Sequence, residues 1–139
     1  MIKRTEIEEI VKIEGLEEPA IINYFRTINQ ENYEATAELF ADSGQLLAPF
    51  EQPIVGRDAI AAYLAQEAKG MSLLPRQGIH QTTDDNLKTI KVVGKARTPL
   101  FSVNIAWFFN LNQEQQIISL KIKLLASPQE LLGLKKFQS

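Results

Sequence analysis

The chain has 139 residues, enough for one domain with one core. Apolar residues make up 45%, charged residues 23%, and the net charge is −2, so the composition is that of an ordinary soluble domain with no basic footprint for nucleic acid. There is no cysteine, which excludes disulfides, thiolate catalysis and cysteine zinc sites.

No apolar run approaches the ~20 residues of a membrane span. Residues 1–9 alternate charge with isoleucine and lack the apolar core of a signal peptide, so the chain reads as cytoplasmic. Nothing in repeat content or composition marks an internal boundary. Residues 1–15 read as an N-terminal helical extension and residues 16–139 as one domain.

In chain order, Ile7, Ile10, Val11 and Ile13 form a helical stripe ended by Gly15. Pro19 suits a first helical turn, and Ile21, Ile22, Phe25 and Ile28 then recur at helical spacing. A second short helix is predicted through Tyr33, Ala37, Leu39 and Phe40, stopping at Asp42-Ser43-Gly44. Residues 45–50 read as a strand. Residues 57–69 read as a third helix with Ile60, Tyr63, Leu64 and Ala68 inward and Gly70 as its stop.

After Gly70 the period changes to two. Residues 71–82 read as a strand interrupted by Pro75 and Gly78, and Asp84-Asp85-Asn86 as a turn. The next strand places Ile90, Val92, Gly94 and Ala96 on one face. The one after it places Phe101, Val103, Ile105, Trp107, Phe109 and Leu111 together. Ile118, Leu120, Ile122 and Leu124 face inward in the last strand. Ser127-Pro128-Gln129-Glu130 reads as a capped helix start, with Leu131, Leu132 and Leu134 as an apolar side. Such a tail can be a lid over the open end or a static cover of the sheet. The pattern predicts an α+β fold, a curved antiparallel sheet over three N-terminal helices, whose curl leaves a cone.

The predicted inward faces of the last three strands carry no carboxylate and no histidine, so acid–base catalysis finds no residue there. The alternatives for an enzyme, Glu67, Asp58 and His80, fall at a helix end, a helix start and an uncertain strand. His80 stands alone and matches no metal-ligand spacing; it reads as a rim histidine. The prediction is therefore a non-catalytic, metal-free binding module, with a small isomerase or hydrolase, or a protein-interaction scaffold whose cone is filled, as the alternatives. Gly94 and Ala96 leave space beside Trp107, either for a ligand or for the indole itself. Tyr24 and Trp107 each carry one polar atom on an apolar body, whose partner is either a ligand carbonyl or a backbone carbonyl. The candidate ligand contacts are Tyr24, Val92, Gly94, Ala96, Ile105, Trp107 and Phe109.

Several short segments, in order and at matching spacing, carry a resemblance. They are Asn23-Tyr24-Phe25, Pro49-Phe50, Pro53-Ile54-Val55-Gly56, Val93-Gly94-Lys95, Thr98-Pro99, Asn104-Ile105-Ala106-Trp107 and the run from Leu124 to Leu132. Over residues 16–134 the chain resembles the C-terminal domain of the cyanobacterial orange carotenoid protein and the stand-alone carriers homologous to that domain, within the nuclear-transport-factor-2-like (NTF2-like) superfamily. The resemblance implies a ketocarotenoid of the canthaxanthin or echinenone type, with its terminal ring in the cone and its keto oxygen held by Tyr24 and Trp107. It also implies a homodimer that shields the protruding half of the pigment, singlet-oxygen quenching in photoprotection, and carotenoid transfer to helical carotenoid proteins with transient membrane contact. Two departures stand out. The link before the Asn-Ile-Ala-Trp motif is short, and Phe101 occupies the place where some carriers have a cysteine, which leaves no disulfide switch. The helical carotenoid-binding domain of the two-domain relatives has no counterpart in this sequence.

Overall fold

The structure, a computed structural model, describes residues 13–81 and 87–125. Its elements are α1 (Pro19–Asn29), α2 (Tyr33–Glu38), β1 (Phe40–Leu47), β2 (Ile54–Val55), α3 (Arg57–Glu67), β3 (Ser72–Gln81), β4 (Lys88–Arg97), β5 (Ser102–Leu111) and β6 (Ile117–Leu125). The helix expected over residues 3–13, the Asp84-Asp85-Asn86 turn and the helix expected from Ser127 lie outside the described residues, Ile13 alone excepted.

The α+β class and the curved sheet are as the sequence predicts. Six strands run in the order β2-β1-β6-β5-β4-β3. Neighbours are antiparallel except β1 and β6, which run parallel and tie the first half of the chain to its last described strand. Register shifts on β1, on β3 and between β5 and β6 mark bulges, and bulges bend a sheet and increase its twist.

Helix α1 buries Ala20, Ile21, Tyr24, Phe25, Thr27 and Ile28 against the sheet. The Thr27 and Thr36 hydroxyls meet at 2.6 Å and join α1 to α2 out of reach of water. The Glu18 carboxylate makes no cap for α1. Nearly buried, it instead faces Lys88 Nζ at 3.5 Å and His80 Nε2 at 3.8 Å, pinning the helix start to the far strands.

The expected end of the second helix and the expected start of β1 are corrected. The second helix ends at Glu38, and β1 begins at Phe40, not at Gln45. Asp42-Ser43-Gly44 is a bulged stretch of strand, not a stop. A β-carbon on Gly44 would lie 2.9 Å from the Ile117 carbonyl oxygen, so the glycine permits the close approach of β6. In β6 the buried pair is Ile117 and Leu120. Asn110 pairs with Ser119 and Leu111 with Ile117, so Ile118 is the extra residue of a bulge and is not in the inward set.

Candidate ligand-binding cavity

Between α1, α3 and the concave face of β4, β5 and β6 lies a cavity of about 350 Å³, near the lower end of the ~300–1,000 Å³ of small-molecule sites. Its inner wall carries Tyr24 and Ile28 from α1, Leu64 from α3, and Ala96, Ile105 and Trp107 from the sheet. Trp107 sits mid-strand, paired with Val92 on one side and Ile122 on the other.

Tyr24 is 1% exposed, and burial raises its phenol above the ordinary tyrosine range, with Tyr63 adding to the effect. The ring is held edge-on by Phe25 at 5.2 Å and by Phe109 at 5.4 Å, while Phe25 meets the Trp107 indole edge-on at 4.8 Å. Such edge-to-face pairs fix ring orientation as well as adding contact energy. Neither the Tyr24 hydroxyl nor the Trp107 indole N–H finds a hydrogen-bond partner among the described residues, and both side chains line the cavity.

Of the seven candidate contacts, the structure brings Tyr24, Ala96, Ile105 and Trp107 to the cavity wall. Val92, Gly94 and Phe109 are buried but do not line it. Phe109 lies behind Tyr24 as its packing partner. Gly94 pairs with Pro75 at the β3 bulge, where a β-carbon would collide with the Leu74 carbonyl oxygen and stand 2.7 Å from Pro75 Cα. Its missing side chain lets two backbones meet, and the open space beside Trp107 comes from Ala96.

The mouth is apolar and exposed. Phe50 is 97% exposed with φ +64°, Phe101 59% and Leu124 49%, and all three line the opening; Leu100, beside Phe101, is 89% exposed. Glu51, Tyr63, Glu67 and Thr98 supply its polar groups. Phe50 and Phe101 are absent from the candidate contacts. Both are expected in strands, Phe50 at the end of residues 45–50 and Phe101 on an inward face; β1 instead ends at Leu47 and β5 begins at Ser102, which leaves both phenylalanines in turns beside Pro49 and Pro99 with no core to enter. His80 and Asp58 lie away from this cavity. Among the described residues no group of three histidine, aspartate or glutamate side chains could hold a metal, and no helix is long and apolar enough to cross a membrane.

A cone of helices closed by a bulged six-stranded sheet is the NTF2-like fold. An NTF2-like protein from Cytophaga hutchinsonii, 12% identical, superposes with a TM-score of 0.62 over 81% of this chain and 91% of its own. More specifically, this chain matches the C-terminal domain of the orange carotenoid protein. It is 39% identical over 127 residues to the orange carotenoid-binding protein of Synechocystis sp., covering 88% of this chain and 40% of the relative. The orange carotenoid protein of Anabaena (Nostoc) sp., solved binding canthaxanthin, is likewise 39% identical, with a TM-score of 0.79 over 88% of this chain and 40% of that one. The chain therefore spans about two-fifths of the length of these relatives. No family model matches it.

Proposed function

We propose that this chain binds one end of a neutral ketocarotenoid, of the canthaxanthin or echinenone type, without chemical change to it. The observation that carries the reading is the pair of hydrogen-bond donors, Tyr24 and Trp107, without a hydrogen-bond partner among the described residues, on the wall of an apolar cavity. Two donors on one keto oxygen would hold a ring without any charge, and the phenol of Tyr24, neutral at pH 7 like any tyrosine and pushed further upward by burial, stays a donor. The likeness to a canthaxanthin-binding relative supports the same ligand.

The cavity takes a terminal ring and not a whole polyene. The remainder leaves through the apolar mouth, where Phe50, Leu100, Phe101 and Leu124 offer a surface for a second copy, so a homodimer encloses one pigment. An open, apolar mouth suits a carrier that loads pigment, quenches singlet oxygen through it and hands it on to a helical carotenoid protein or a membrane. Acid–base catalysis is disfavoured by the site's chemistry. Tyr24 holds its proton too tightly to serve as a base, and the carboxylates at the cavity stand exposed at its mouth.

Coexpression in a canthaxanthin-producing host tests the proposal. The expected product is a coloured dimer with pigment in a ratio of one to two chains; a colourless monomer at full expression overturns it.

A further inference from the structure

The mouth of the cavity carries two carboxylates, Glu51 and Glu67, and among the described residues that line it there is no lysine, arginine or histidine. For a site that takes an apolar molecule, charge at the entrance needs a reason, and folding does not supply one. Glu67 is the last residue of α3, whose last turn holds no basic residue. A carboxylate there lies against the negative end of the helix dipole, where a cation is the stabilising choice. Glu51 follows Phe50, a non-glycine residue at φ +64°. No hydrogen bond or ion pair engages either carboxylate among the described residues. Their field reaches into the opening: beyond the effect of burial, both push the phenol of Tyr63 upward, and Tyr63 lines the same mouth.

We infer that Glu51 and Glu67, reinforced by the C-terminal end of α3, make the mouth an anion filter that admits neutral apolar chain molecules and rejects carboxylates of the same shape. An apolar cone discriminates poorly among hydrocarbon chains, and in a cell its most abundant competitors are fatty-acid anions. Such an anion, tail inward, would bring its head to the mouth, into repulsion from two like charges and a helix C-terminus, with no cation among the described lining residues to offset them. A neutral isoprenoid meets no such barrier. The inference rests on the cavity being a binding site, as proposed above, and adds which molecules it refuses.

Retinol and retinoate test it, because they share one ring and polyene and differ in a neutral or an anionic head. Dissociation constants are read from quenching of Trp107, the single tryptophan, at low ionic strength. The ratio of the retinoate to the retinol constant is compared between proteins, which cancels the difference in water solubility of the probes. The Glu51→Gln/Glu67→Gln protein is expected to lower that ratio about tenfold, and 0.5 M salt to lower it in the parent toward the same value. Glu51→Asp/Glu67→Asp keeps the charge and is expected to keep most of the ratio. A ratio equal in the parent and the Gln variant overturns the filter while leaving the cavity reading intact. A parent protein that takes neither probe overturns the cavity reading, and the filter with it.

Discussion

Asn29 completes the edge strand of the sheet. Its side-chain amide donates to the Leu73 carbonyl at 2.9 Å and accepts the Leu73 N–H at 2.7 Å, as a neighbouring strand would. Leu73 lines the cavity, and Asn29 ends the helix that carries Tyr24, so one residue sets the spacing between helix and sheet at the site. The main chain at Glu14 covers the same edge further on, donating to Arg76 O at 3.2 Å and accepting from Gly78 N at 2.8 Å. An edge strand covered at two points presents fewer unpaired groups to other chains.

Replacing Asn29 with alanine removes both bonds and leaves two main-chain groups of a half-shielded strand without protein partners. A stability loss of about 1–3 kcal/mol is expected, read as a lower denaturation midpoint at unchanged slope. Bound pigment should also shift its absorption as α1 relaxes from the sheet. A variant with parental stability and spectrum would show that the pairing positions nothing.

Gly94 and Ala96 separate backbone approach from cavity space. Gly94→Ala forces β4 away from the β3 bulge and should cost at least about 1–3 kcal/mol, the range for overpacking, whether or not ligand is present. Ala96→Leu grows into open space and should leave the melting temperature near the parent's while blocking uptake. Thermal melts and uptake measured together distinguish the two. An Ala96→Leu protein that still loads pigment would place the ring elsewhere.

The sequence alone could not have separated these two residues. Alternation put both on the inward face of β4, which is where they lie. What Gly94 meets depends on an extra residue in the neighbouring strand, Arg76 between Pro75 and Gln77, and bulges leave no period-two signal in a partner. The same cause moved the start of β1 and exchanged Ile118 for Ile117. Helix α3, with Ile60 and Leu64 buried at helical spacing and Gly70 at φ +79° beyond its end, was legible because every signal was local. The site was legible where one residue carries both an apolar body and a polar atom, as Tyr24 and Trp107 do. The mouth was not, because Phe50, Glu51 and Phe101 sit in turns whose direction only the folded chain decides.

Alkaline titration checks the setting of Tyr24. Its proton is held more tightly in the folded than in the unfolded chain, so the unfolded chain loses its proton first as pH rises. Stability contributed by the neutral phenol is complete below about pH 10, the ordinary tyrosine value, and falls as pH climbs from there toward the raised folded value. Absorbance at 295 nm should show Tyr24 ionising only as the protein unfolds. Tyr24→Phe should lessen the fall in stability above that pH. Ionisation of all three tyrosines in a still-folded protein would contradict the burial.

The exposed phenylalanines at the mouth bear on assembly. Phe50→Glu and Phe101→Glu lie outside the core and should leave stability within about 0.5 kcal/mol of the parent's. In pigment-loaded protein they should shift the population from dimer to monomer in size-exclusion chromatography with light scattering. A loaded dimer that survives both changes would move the interface to another face.

The grip on the keto oxygen is tested most directly by competition between canthaxanthin and β-carotene, which share a polyene and two rings and differ in the keto oxygens. From an equal mixture the parent protein should retain canthaxanthin in excess. The Tyr24→Phe/Trp107→Phe protein should lose most of that preference, since two neutral hydrogen bonds at about 0.5–1.5 kcal/mol each amount to roughly 5- to 150-fold. A parent protein that takes the two pigments equally, or a double variant whose preference for canthaxanthin is undiminished, would contradict the assignment of Tyr24 and Trp107 as the residues that hold the ring.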